Sequence, residues 1–200
     1  MPNGTTEATL DKNQENRLKI MRITSDRSAG LIIDIQEKLF PHMAEKDNLV
    51  IQVNRLLEGF RYLKVPVLLT EQYTRGLGPT IPEIANNLAG VEGSEKMSFS
   101  CCDDPGFMKK LTNLKPGFVI IAGIEAHVCV LQTAIDLLHA GYQPVVVENA
   151  VSSRNLKDKE TALLRMRQEG AIITSTESIL FELTRTSGTE LFKSISKLVK

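Results

Sequence analysis

Two hundred residues with a hydrophobic content of 42% suit one compact domain with a single sizeable core. Lys+Arg and Asp+Glu balance at 24 each, so no global positive field exists to recruit nucleic acid or an acidic membrane surface. Three cysteines, two of them adjacent as Cys101 and Cys102, make no paired disulfide framework, and no apolar run approaches the roughly 20 residues that span a bilayer. These features predict a cytoplasmic protein with neither nucleic acid nor membrane as partner.

The opening stretch MPNGTTEATLDKNQENRLKI is polar, lacks a signal-peptide core, and carries Glu7, Asp11 and Glu15, which transit peptides avoid. It reads as a flexible extension over residues 1–25, ahead of a domain spanning 26–200. From there short, mostly β-branched apolar runs alternate with helical patterns. AGLIIDI (29–35) predicts a first strand, and AEKDNLVIQVNRLLEGFRYLK a helix after it; VPVLLTE (65–71) predicts a second strand. The stretch EQYTRGLGPTIPEI, rich in Gly and Pro, reads equally as a plain turn-rich connector or as a pocket wall or lid. KMSFS (96–100) predicts a weaker strand, and DDPGFMKKLTNL a helix capped by Asp103 or Asp104 with Pro105 in its first turn.

GFVIIAGI (117–124) predicts the next strand, running through GIEAHVCV into a helix over VCVLQTAIDLLHAG. PVVVENA (144–150), a helix over NLKDKETALLRMRQEG, AIITST (171–176) and an amphipathic GTELFKSISKLVK complete the chain. Strands joined by helices predict parallel crossover units and a three-layer α/β/α sandwich. No internal repeat or domain-separating linker interrupts the pattern.

In such sheets ligands bind at the carboxyl ends of strands. Asp34 ends the first strand and Gln72 the second, while Cys129 lies where the strand of residues 117–124 enters its helix. A helix start favours thiolate, but a core cysteine packed as a small hydrophobe fits that position equally. Asp34 follows a buried apolar run, so its carboxylate must be paired, hydrogen-bonded or neutral; capping a turn is the other possibility. Lys96, in GSEKMSFS, has the pattern of a solvated surface lysine. His127 stands two residues from Cys129, a spacing that points the two side chains apart in a strand or a helix start. The three histidines have no ligand-type neighbours at short spacing, so no metal site is predicted. Cys101 and Cys102 read as packing residues.

LIIDIQEKL, VPVLLTEQYTRGLGPT, EKMSFS and GIEAHVCVLQTAIDLLHAGYQPVVVENAVSSR, in that order, resemble the isochorismatase-like cysteine hydrolases, most closely the isochorismatase domain-containing proteins of eukaryotes, over roughly residues 28–199. The resemblance implies a six-stranded parallel sheet and a triad of Asp34, Lys96 and Cys129. It also implies a non-proline cis peptide between Ile124 and Glu125, and an oxyanion hole from the backbone amides of Glu125 and Cys129. Two departures narrow the activity. Metal-binding nicotinamidases carry an aspartate and histidines where this chain has TEQYTRGLG, and isochorismatases proper lack the cysteine. The expectation is a cofactor-free cysteine hydrolase acting on a small amide, ureide or related acyl compound, with Phe40, Gln72 and Tyr73 as pocket residues from loop position. Homo-oligomerisation is implied by the resemblance. The rival expectation is an interaction protein that retains the constellation without turnover.

Overall fold

The computed structural model describes residues 22–88 and 90–200. Most of the expected N-terminal extension therefore lies outside the described residues. Its last part is not loose: Ile23 is buried in the core, and its backbone N–H donates to Glu182 at 3.0 Å.

Strand β1 (Ser28–Ile33) is buried along its whole length, as the unbroken apolar run requires of a strand covered on both faces. Helix α1 (Lys46–Leu63) carries the chain back to β2 (Val67–Gln72). Two single helical turns, α2 (Thr74–Leu77) and α3 (Pro82–Ala85), lead to the short β3 (Ser94–Lys96). Helix α4 (Pro105–Leu114) begins at Asp104, whose Oδ1 accepts from Phe107 N at 2.6 Å, with Pro105 at the position where a missing N–H costs nothing. Strand β4 (Phe118–Ile124) passes through a π-helical turn (Ala126–Val130) into α5 (Leu131–His139). There follow β5 (Gln143–Ser152), α6 (Leu156–Glu169) and β6 (Ile172–Thr174). Helices α7 (Thr176–Thr184) and α8 (Glu190–Val199) close the fold.

The six strands are all parallel, in the order β3-β2-β1-β4-β5-β6. Because alternate strand residues face opposite sides, two cores form. Ile32, Ile120 and Val145 meet Val53, Phe60, Leu180 and Ile195 from α1, α7 and α8. Leu31, Ile33 and Ile121 meet Phe107, Leu137 and Met166 from α4, α5 and α6. The result is the three-layer α/β/α sandwich.

The order of connection reverses between β1 and β4. Their helices leave from opposite faces there, opening a crevice at the carboxyl ends of the two strands. The weaker strand lies earlier than the KMSFS pattern suggests. Lys96 is its last residue, paired with Gln72; beyond it the carbonyls of Ser98 and Phe99 turn toward the Lys96 ammonium instead of a neighbouring strand. No helix among the described residues is long and apolar enough to cross a membrane.

Candidate active site

Asp34 is the first residue past β1 and has φ = 53°, a left-handed conformation that aspartate adopts more readily than most residues. Its side chain and that of Lys96 are both fully excluded from solvent, with Nζ 2.6 Å from Oδ2. Thr70, one strand over, donates to Oδ1 at 3.0 Å. The ammonium spends its remaining hydrogens on Ser98 O and Phe99 O, each at 3.1 Å, so all three donors of Lys96 are used. The sequence pattern of a solvated lysine is thus misleading at this position.

Cys129 lies in the π-helical turn after β4 and is 4% exposed. Its thiol donates toward Gln72 Oε1 at 3.6 Å and lies near enough to the Asp34 carboxylate to feel its charge. Aspartate, lysine and cysteine, 33 to 95 positions apart in sequence, converge because β1, β3 and β4 all end at this edge. The Ile124–Glu125 peptide just ahead of the turn is cis.

The electrostatics differ from what a helix start alone suggests. Burial pushes the Cys129 thiol well above the usual range, the Asp34 charge pushes it further, and Lys96 opposes this only in part. These influences favour the neutral form of the thiol. Burial also raises Asp34, against the pull of Lys96. For Lys96, burial acts downward, but the neighbouring Asp34 carboxylate carries it upward. A carboxyl group raised toward neutrality beside a thiol can both take and return a proton.

The thiol opens on a cavity of about 320 Å³. Leu39, Leu77, Val128, Met97 and Phe99 give it an apolar wall, Tyr73 contributes a ring, and Gln72, Glu125 and Cys129 supply the polar atoms. Gln72 and Tyr73, named from loop position as pocket residues, both line this cavity. Phe40 does not line the cavity; it packs against the core cluster that includes α1, and its neighbour Leu39 lines the cavity instead. Phe40 opens a 3₁₀ turn with Pro41, and the tight rotation of that turn sends successive side chains in different directions. Glu125 is paired with Arg154 at 2.9 Å. His127 faces away, its Nδ1 2.9 Å from Ser153 Oγ. Among the described residues no three His, Cys, Asp or Glu side chains gather as a metal site would need.

The Gly- and Pro-rich connector is a wall. Glu71 accepts from Thr80 N and Oγ1 at 2.6 and 2.7 Å, Glu95 accepts from Thr74 N and Oγ1 at 2.8 and 2.7 Å, and Gln36 Nε2 donates to Gly78 O at 2.7 Å. Gln36 and Thr70, both fully buried, are structural partners of the site that the sequence pattern leaves unmarked. The only signal was their polarity inside apolar strand-end segments.

The isochorismatase domain profile matches residues 28–178. Mouse isochorismatase domain-containing protein 2A is 40% identical over 186 residues, covering 92% of this chain and 88% of that protein. Among solved structures, the MAR1 ribonuclease of Caenorhabditis elegans superposes with a TM-score of 0.84 at 39% identity, over 90% of this chain and 92% of that one. YcaC of Escherichia coli, described as an octameric hydrolase of unknown specificity, superposes with a TM-score of 0.84 at 25% identity, over 88% of each chain. With the fold, the profile match and these identities in agreement, the chain belongs to the isochorismatase family.

Proposed function

We propose that this protein is a cysteine-dependent hydrolase that cleaves the C–N bond of a small amide, ureide or related acyl compound through a thioester acyl-enzyme. The observation that carries the reading is a cysteine thiol on a cavity wall, close to a carboxylate that is itself held by an enclosed lysine. In this mechanism Asp34 takes the thiol proton as the sulfur attacks the substrate carbonyl carbon. The C–S bond forms and the carbonyl electrons move to oxygen, where the backbone N–H groups of Glu125 and Cys129 receive them. The C–N bond then breaks as Asp34 gives its proton to the departing nitrogen. Water attacks the thioester, Asp34 accepts one of its protons, and that proton returns to sulfur as the acid leaves. Lys96 favours the ionised form of Asp34 against the burial that opposes it.

The ribonuclease name of the C. elegans protein suggests a second substrate class, but the cavity gives it little support. Among the described residues lining the cavity, Glu125 alone carries a charge, and it is negative. A phosphodiester substrate calls for cationic partners. Homo-oligomerisation is part of the proposal, supported by the octameric E. coli protein.

Cys129→Ala is expected to fold with an unchanged melting profile and to lose all turnover, while the wild type, incubated with a pool of small amides, gains an acyl-sized mass on the peptide containing Cys129. Undiminished turnover by the alanine variant would overturn the proposal.

A further inference from the structure

Gln72 takes no part in the proton transfers above, yet its amide lies against the thiol. Its Nε2 donates to Met97 O at 3.2 Å, which sets the amide's orientation, because the reversed amide would place two carbonyl oxygens together with no hydrogen between them. Oε1 therefore faces the sulfur. The main chain behind it is equally fixed: fully buried Gln36 accepts from Gln72 N at 2.7 Å and donates to Gln72 O at 2.9 Å.

An oxygen acceptor is a poor neighbour for a thiolate. It suits the neutral thiol, whose hydrogen it accepts, and it opposes the anion formed once the S–H turns away and its proton passes to Asp34. The contact becomes favourable again only when substrate brings a donor. The rest of the cavity narrows what that substrate is. Its wall is apolar, its charged residue Glu125 is occupied by Arg154, and the nearby cation Lys96 is enclosed with every hydrogen spent. A cavity of about 320 Å³ suits a small molecule.

We infer that Gln72 is a specificity-determining residue whose Oε1 accepts an N–H of the scissile amide, and that the site selects uncharged primary amides or ureides with a short apolar acyl group. This inference rests on the hydrolase reading and names its substrate class. An ester offers no N–H and leaves Oε1 without a donor. An acyl group bearing a carboxylate meets no available cation in the cavity.

The test compares wild type and Gln72→Met, a substitution of similar length without the acceptor, on butyramide, methyl butyrate and succinamate, with intact-mass detection of the acyl adduct on Cys129. The variant is expected to lose at least about 30-fold in kcat/KM on butyramide while staying within about threefold on the ester, as loss of one buried hydrogen bond to the leaving nitrogen requires. Wild type is expected to prefer butyramide to succinamate by at least about 100-fold, a comparison that needs no variant. Equal loss on amide and ester, or equal use of succinamate, overturns the inference, while adduct formation keeps the hydrolase reading standing. Absence of adduct and turnover with every compound overturns both.

Discussion

Asp34 and Lys96 form an ion pair in a place where neither charge would be tolerated alone. A buried pair of this kind contributes little net stability compared with apolar packing, because two desolvation costs offset the attraction, so its presence beside a thiol is better explained by chemistry than by folding. Breaking it by half is another matter. Lys96→Met leaves the Asp34 carboxylate without its counter-charge and the carbonyls of Ser98 and Phe99 without their donor. Unfolding in urea should show a loss of about 3–5 kcal/mol, and turnover should fall at least ~100-fold. The double variant Asp34→Asn with Lys96→Met should recover much of that stability while activity stays lost. A stable single variant with a normal rate would remove Lys96 from the mechanism. Asp34 was legible in the sequence because a charged residue interrupts an apolar strand. Lys96 was not: nothing in GSEKMSFS marks a partner 62 positions away, and only the family resemblance singled it out.

Strand ends, more than strand interiors, build this site. Gly123 sits near the end of β4 with φ = 143°, and a Cβ there would come within 2.3 Å of Ile33 O and 2.7 Å of Ile33 N on β1. Those are backbone atoms that cannot step aside, so Gly123→Ala would push apart the two strands that carry Asp34 and Cys129. Its expected cost is about 3 kcal/mol or more, accompanied by loss of activity, whereas Gly141→Ala, at φ = 85° with nothing within 4 Å, should cost only about 1 kcal/mol. Thermal melting of both variants decides the point; equal costs would mean that conformation, and not the β1–β4 approach, sets the penalty. At this scale the strands were legible because short β-branched runs bounded by turns have few other solutions. Helix α7 escaped notice because its N-cap Ser175, which accepts from Ser178 N, was absorbed into the apparent strand AIITST. The π-helical turn around Cys129 leaves no mark in the sequence, since its apolar residues fit an ordinary helix start as well.

Taken as a whole, the molecule holds its three cysteines, Cys101 and Cys129 buried and Cys102 half-buried, in surroundings that favour the neutral thiol. Cys101 is pushed, chiefly by burial, from an ordinary 9.0 to about 11, Cys102 to about 12 by burial and the neighbouring Cys101, and Cys129 further still. In the unfolded chain these thiols ionise near 9, while the native state keeps their protons. A group whose folded pKa lies above its unfolded value contributes stability that is complete below the unfolded pKa and is lost as pH climbs through the folded one. Lys96, raised above 10.5, adds a loss of the same sign at the upper end of the range. The protein should therefore be insensitive in this respect from neutrality to about pH 9 and lose stability steeply between about 9 and 11. For Cys101, fully buried against Thr70, the two-unit rise corresponds to about 3 kcal/mol over that window. Urea unfolding at intervals from pH 7.5 to 11 measures the decline, and Cys101→Ala, which has no thiol to ionise at that position, should descend less steeply by up to that amount. Parallel curves for wild type and variant would show that the Cys101 thiol ionises as freely in the native state as in the unfolded chain, and that the Thr70 side of the site is wetter than its packing indicates.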